Sequence, residues 1–491
     1  MTSRRFASVA VCVFLLGALV GAQEIRLSSA ILRPEDRVAI EKAGTALIAA
    51  LTAGRTSDAL GLFSSHTRKT AGDDRLGEMI SRIRESMGPL ELHHAELAES
   101  QRGTQRSRVL HVYAKAGKDV RWKDFQITIE PDPPFKFDQV LFIADVAEPV
   151  YLPNADLPNP DTRRWLDAYI DGLAAKEGLS GSVLVTQGAT TVVARTFGHA
   201  DPAATQPIRA DTRFSMASSS KMFTAVLIAK LAEEGRLRYG DRITQHLPPA
   251  MVREPWSQVT VDQLLSHRSG IGEYWTQEYA DQRPALATLA DFLPWLHKVP
   301  HTFAPGTSHR YSNSNFILLG LIVEHVTKRS FDEELRRVLT GPLRMASTSL
   351  VADTLPASRD AQMLTRDGSA WRRVAAAGRG SSAGGAWTTV EDATIFLRAL
   401  ASGRLVTPAT LEAMTTPRNA GALAFPYGYG LEMRTDAGAP SWGHGGIAPG
   451  VNAELRYFPT LDVTLVVFSN QDNGAFDDLK KNLIKLITGD R

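Results

Sequence analysis

Three serines stand in a row before one lysine in "RFSMASSSKMFTAVLIAKLAEEG", residues 213 to 235. On a helix, residues three apart share a face, whereas neighbours one or two apart do not. Spacing therefore sets Ser218 against Lys221 and points Ser219 and Ser220 elsewhere; Ser215 is too far around, and Ala217 has no hydroxyl. From Met222 to Ala229 the chain is apolar nearly all round, the mark of a helix buried in a core. A lysine at the entrance of such a helix loses water, which lowers its pKa and gives it the character of a base. Helix-end amides favour an oxygen that develops negative charge. The same residues also read as a serine cap followed by a lysine that reaches back to solvent. Ser-x-x-Lys arises roughly once or twice by chance in a chain of this length, so its company decides.

A second element is "APGTSHRYSNSNFILLGLIVEHVTK", where Tyr311 and Asn313 stand two residues apart just ahead of another apolar helix. A phenol passes a proton when a nearby cation lowers its pKa, and an amide orients a carbonyl or amide of a substrate. Taken alone, the stretch also reads as a turn with a buried tyrosine. A third element is "SWGHGGIAPGVNAELRYFP", in which His444, Gly445 and Gly446 precede a glycine-rich turn and a strand. Such glycines let the backbone approach a substrate and present an amide to an oxyanion. A β-bulge or hairpin edge uses the same residues.

Ser-x-x-Lys, then Tyr-x-Asn, then His-Gly-Gly resembles the serine β-lactamase and penicillin-binding-protein superfamily, and within it the class C β-lactamase-like and esterase branch. The resemblance spans about 161 to 489 and includes "SGSVLVTQG", "LAEEGRLRYGDRITQHLP", "VTVDQLLSHRSGI", "SAGGAWTTVEDATIF", "YGYGLEM" and "VVFSN", in that branch's order. It implies that Ser218 is acylated, that Lys221 and Tyr311 share the proton traffic, and that the backbone amides of Ser218 and Ile447 form an oxyanion hole. Asn313, with His444, Gly445 and Gly446, would hold the substrate. No metal or other cofactor is implied. The substrate would be a small ester or a peptide-like amide, with D-alanyl peptides and β-lactams as the alternative. A binding or sensing protein that keeps the fold without turnover is a further alternative, opposed by the four intact polar groups.

One departure stands out. In class C β-lactamases and many cell-wall peptidases the third motif is Lys-Thr-Gly, and its lysine helps bind a substrate carboxylate; here His444 and Gly445 take those positions. Histidine is largely neutral near pH 7, which favours an esterase or a peptidase with different terminal recognition. His267 in "LLSHRSG" is expected to serve the scaffold rather than catalysis. Trp275, Tyr279, Trp295 and Trp387 are candidates for a pocket lining or for core packing.

These residues need a large scaffold. The chain has 491 residues, 43% of them hydrophobic, which suggests two domains. Lys and Arg number 55 against 53 Asp and Glu, with no long run of one sign, so nothing favours a nucleic-acid partner. Residues 1–22 read as a signal peptide with an apolar run too short to span a bilayer, no later segment looks transmembrane, and export to the periplasm or beyond is expected. The one cysteine, Cys12, falls in that leader, which removes disulfides and thiolate chemistry from the mature protein.

Helical spacing over 36–87 followed by four alternating runs predicts a small α+β domain at 30–148. Its order resembles the cone-shaped domains typified by nuclear transport factor 2. His93 and His94 sit mid-strand there and read as a solvated face. Prolines at 149, 153, 158 and 160 mark a linker over 149–160. From 161 to 491, strands at both ends with helices between predict one antiparallel sheet built from the two termini, with a helical part beside it.

Overall fold

The computed structural model describes residues 34–489 except 54, 88–89, 103–104, 117–121, 131–133, 147–158, 283–285, 353–358, 368–369, 375–378 and 420–424. The expected leader at 1–22 and most of the expected linker at 149–160 lie outside the described residues. The chain divides near residue 152 into two compact units.

The first unit opens with four helices, α1 (Pro34–Ala53), α2 (Thr56–Leu60), α3 (Ser65–Ala71) and α4 (Asp73–Met87). Four strands follow, β1 (Leu90–Arg102), β2 (Gln105–Ala116), β3 (Trp122–Ile129) and β4 (Phe137–Val146), paired antiparallel in chain order. Alternation explains the pairing: Leu110 and Val112 of β2 and Phe125 and Ile127 of β3 face one way and bury against Ile40, Leu47 and Ile48 of α1. His93 and His94 fall at a register shift of β1, and their side chains lie outside the described residues.

The second unit begins with α5 (Pro160–Glu177) and the hairpin β5 (Gly181–Gln187) and β6 (Thr190–Phe197). Its main helices are α6 (Lys221–Glu233), α7 (Val261–Leu265), α8 (Asn313–Thr327) and, after the short strands β7 (Phe214–Ser215) and β8 (Trp387–Thr388), α9 (Val390–Ala401). Strands β9 (Glu432–Asp436), β10 (Ala439–Ala448), β11 (Val451–Phe458) and β12 (Val463–Ser469) lead to the closing helix α10 (Ala475–Thr488). The six long strands form one antiparallel sheet in the order β9-β10-β11-β12-β5-β6. Chain ends meet at β12 and β5, so the sheet is assembled from both termini as expected. β12 is buried at every position and packs against α9. Among the described residues no helix is long and apolar enough to cross a membrane.

The core explains how α6 is held. Met222, Phe223 and Ala225 to Ala229 are all buried, so the helix has no solvent face over two turns. Phe223 meets Phe396 of α9 edge to face at 4.8 Å, and each such buried ring contributes about 1.5–3 kcal/mol. Where an α-helical start was expected, residues Ala217–Ser220 form a 3₁₀ turn that runs into α6. Residues three apart eclipse in a 3₁₀ turn as well, so the Ser218 and Lys221 pairing survives the change.

The turn is pressed against the sheet. A Cβ at Gly446 of β10 would lie 2.3 Å from the carbonyl oxygen of Met216 and 3.2 Å from Cβ of Ala217. Backbone cannot swing aside as a flexible side chain does. Gly446→Ala is therefore expected to destabilise the second unit by about 1–3 kcal/mol, read as a lowered midpoint in chemical denaturation of the full chain. An unchanged midpoint would contradict this close approach.

Candidate active site

Ser218, Lys221, Tyr311, Asn313 and His444 converge between the start of α6, the start of α8 and β10. Of the three consecutive serines, Ser219 and Ser220 are buried while Ser218 is half-open. Ala217 sits at φ +41°, a left-handed backbone that a residue with a Cβ rarely adopts. Hydrogen bonds brace it: Gly385 N donates to the Ala217 carbonyl at 3.0 Å, and Ser220 Oγ donates to the same carbonyl at 3.0 Å. Ser219 Oγ donates to the His444 carbonyl at 2.9 Å and so ties the turn to β10.

Lys221 is fully buried, and its Nζ meets three oxygens: Ser218 Oγ at 3.2 Å, Asn313 Oδ1 at 2.6 Å and the Ala383 carbonyl at 2.5 Å. Burial lowers its pKa to about 7, against the opposing pull of the Glu273 and Glu432 carboxylates. Two of the three oxygens can only accept. A neutral amine gives its two hydrogens to Asn313 and Ala383, which leaves the lone pair for the Ser218 hydroxyl.

Tyr311 hydrogen-bonds Ser218 through its hydroxyl, and its ring lies 4.9 Å from Lys221 Nζ. The residue keeps 37 % of its surface open. Desolvation of the phenol oxygen nevertheless raises its pKa far above the usual value, against the Ser218 bond that lowers it. The phenol thus keeps its hydrogen at neutral pH, and the Lys221 lone pair faces the Ser218 hydroxyl rather than the phenol.

Sequence spacing did not point to Glu273. It accepts from Asn313 N at 2.9 Å and from Asn313 Nδ2 at 3.0 Å, which turns Oδ1 of the amide toward Lys221. The Ala383 carbonyl and Tyr427 were equally unforeseen; "SAGGAW" and "YGYGLEM" were quoted for their phrasing alone. His267 is buried behind the site, its ring 4.2 Å from that of Tyr311, and burial drives its pKa well down. It walls the tyrosine and makes no bond to Ser218 or Lys221 among the described contacts.

His444 lies in mid-strand on β10, 1 % exposed, with Nε2 3.0 Å from the Tyr427 hydroxyl and Nδ1 2.5 Å from the Gly445 carbonyl. Burial lowers its pKa, against the pull of Glu432. Gly446 faces the serine turn, and the Ile447 side chain is 76 % exposed at the end of β10. Trp275 is exposed, whereas Tyr279, Trp295 and Trp387 are buried; Tyr279 packs among Tyr274, Phe292 and Trp295.

Two pH effects follow. Acylation is expected to fall about tenfold per pH unit below an acid limb at about 7, where Lys221 becomes protonated and loses its lone pair. Removing the negative charge in Glu273→Gln takes away a group that holds the proton on Lys221, so the limb should move to lower pH. A limb that stays in place or rises would break the assignment of the limb to Lys221.

The Beta-lactamase family model matches residues 166–489. Protein flp of Staphylococcus aureus is 30% identical over 208 residues, 41% of each chain, so the chain spans about two-fifths of the length of such curated relatives. A penicillin-binding protein from Bacillus halodurans is 30% identical, with a TM-score of 0.58 over 65% of this chain and 99% of that one. A D-amino acid amidase from Ochrobactrum anthropi shares the fold at 22% identity, with a TM-score of 0.58 over 66% of this chain and 99% of its own. With two-thirds of its length matched by the family model, and the serine, lysine and tyrosine gathered at one site, the chain belongs to the beta-lactamase family.

Proposed function

We propose that the protein is a serine hydrolase that forms an acyl-enzyme on Ser218, acting as an esterase or amidase on small esters or peptide-like amides. The observation that carries this reading is the contact of Lys221 Nζ with Ser218 Oγ at 3.2 Å, made by an amine whose pKa has dropped to about 7. Ser218 Oγ attacks the acyl carbon and passes its proton to Lys221. The bond to the leaving alcohol or amine breaks as Tyr311 donates its hydroxyl proton there, and the Lys221 ammonium restores the phenol. Water then enters by the same groups in reverse and releases the acid. Amides of Ser218 and Ile447 are assigned to the oxyanion, and Asn313, Gly445 and Gly446 to the substrate's amide or ester. Glu273 is a positioning residue that aims Asn313.

The likeness to a penicillin-binding protein supports a second reading, hydrolysis of D-alanyl peptides or β-lactams by the same groups. Against it stands the neutral His444, which supplies no fixed positive charge for a terminal carboxylate. The proposal includes export through the leader at 1–22, consistent with a chain whose single cysteine lies in that leader.

Turnover of p-nitrophenyl esters, nitrocefin and D-alanyl peptides separates these readings. Ser218→Ala is expected to lower turnover on the order of 10³-fold or more, whereas Ser219→Ala keeps a nucleophile and loses only its tie to β10. Nitrocefin as the one substrate turned over would refute the esterase reading. Loss of acylation in Ser219→Ala with none in Ser218→Ala would refute the choice of nucleophile.

A further inference from the structure

Behind Tyr311 a line of hydrogen bonds runs from the start of α8 to β10. Ser312 N donates to Nδ1 of His267 at 3.2 Å, and Asn315 Nδ2 lies 3.3 Å from the same nitrogen. Ser269 orients that amide by donating its hydroxyl to Asn315 Oδ1 at 2.6 Å. His267 Nε2 is 3.2 Å from the Tyr427 hydroxyl, which is 3.0 Å from His444 Nε2. His444 Nδ1 ends the line at the Gly445 carbonyl, 2.5 Å away.

The two ends fix every hydrogen. A backbone N–H only donates and a carbonyl only accepts. Nδ1 of His267 is therefore an acceptor, so its Nε2 carries the hydrogen and donates to Tyr427. Nδ1 of His444 is a donor, and in the neutral ring Nε2 is bare and accepts the Tyr427 hydrogen. Each hydrogen has an acceptor, and neither ring carries charge. Protonating His444 would place a hydrogen against a phenol oxygen that already accepts from His267, and would strip the phenol's own hydrogen of its acceptor. His267, Tyr427 and His444 are all buried, where such a loss is costly.

The charges around His444 do not force the ring to ionise. Glu432 of β9 is 3.7 Å from Nδ1, and Glu454 of β11 also favours the charged ring. Arg456 of β11 is bonded to Glu454 at 2.8 Å and lies 3.8 Å from Glu432, while Arg434 of β9 is 3.1 Å from Glu432. Lys221 of α6 opposes a second cation; among the described residues the phenols of Tyr311 and Tyr427 and the ring of His267 also act on or pack near it. An incoming carboxylate would feel arginines already paired, a buried neutral imidazole, and the carboxylates of Glu273 and Glu432 acting on Lys221.

We propose that Tyr427 is a specificity-determining residue: its hydroxyl holds His444 neutral, so the cleft takes acyl substrates that are uncharged or cationic beside the scissile bond and turns away those with a carboxylate there. This rests on the reading of Ser218 as nucleophile, yet the state of His444 is measurable without turnover. In ¹⁵N-histidine-labelled full-length protein, His444 is expected to stay neutral with its hydrogen on Nδ1 through the pH range in which an ordinary histidine titrates, and to protonate only below it. Titration of His444 in the wild type at or above about pH 6.5 overturns the proposal, with no variant needed.

In Tyr427→Phe the ring should titrate nearer the ordinary range. The ratio of kcat/KM for a carboxylate-bearing p-nitrophenyl ester to that for its methyl-capped counterpart should then rise about tenfold at pH 6 and return to the wild-type value at pH 8. If neither the titration nor the ratio moves, Tyr427 does not set specificity. Absence of any Ser218 acylation would sink the hydrolase reading separately, and binding of the same two esters, followed by the same resonances, would replace the rates.

Discussion

Burying an amine beside a serine is the constraint around which this cleft is organised. A lysine with no exposed surface loses the hydration that keeps ordinary amines protonated, and here that loss outweighs two nearby carboxylates. Its surroundings must then serve both protonation states. Asn313 Oδ1 and the Ala383 carbonyl accept hydrogens from either form, so only the third direction, toward Ser218, changes character when the proton leaves. A lysine held by freely rotating hydroxyls would lose that directionality, since each hydroxyl can donate as well as accept.

Fixing Asn313 and Ala383 propagates outward through the fold. Asn313 is aimed by Glu273, which spends one carboxylate oxygen on both donors of that residue. Ala383 belongs to the loop before β8, and that loop is clamped by Thr224 Oγ1 donating to the Ser382 carbonyl at 2.7 Å and by Ala386 N donating to Ser220 Oγ at 3.0 Å. Ser219 and Ser220 thus tie the turn to its neighbours on both sides. Each is small enough for a turn squeezed between β10 and the 381–387 loop, and each satisfies a backbone group there. Larger side chains would collide, and alanines would leave the His444 carbonyl or the Ala386 amide without its side-chain partner.

The parts readable from sequence were those with a period. Alternation marked β1, β2, β3 and β4, strands were read at both ends of the second unit, and the all-apolar run 222–229 marked a helix inside a core. Three-residue spacing selected Ser218 even though the turn is 3₁₀, because both helix types bring positions three apart together. Glu273, the Ala383 carbonyl and Tyr427 escaped because they lie in irregular segments whose reach depends on tertiary packing. Ala383 adds a backbone oxygen, which no residue type announces. Tyr427 is placed by Asn419, whose Oδ1 accepts from Tyr427 N at 2.8 Å while its Nδ2 donates to the Phe425 carbonyl at 2.8 Å. His267 was read as scaffold from its phrase, and its depth behind the Tyr311 ring gives the physical reason.

Two hydrogen-bond systems meet at Tyr311 without merging. One contains the groups that exchange protons in the proposed reaction, Ser218, Lys221 and the Tyr311 phenol. The other, from Ser312 through His267 and Tyr427 to Gly445, has every hydrogen assigned by its ends and gives none to the first. Contact between them is through ring faces, His267 against Tyr311 at 4.2 Å, rather than through nitrogen or oxygen. Stacking positions the phenol while leaving its proton to Ser218. Had either imidazole bonded the Tyr311 oxygen, it would offer a competing base, and the lone pair on Lys221 would no longer be the sole sink for the serine's proton. Separation of the two systems lets two histidine rings stand 4.2 and 6.3 Å from the ring of Tyr311 while their nitrogens bond elsewhere.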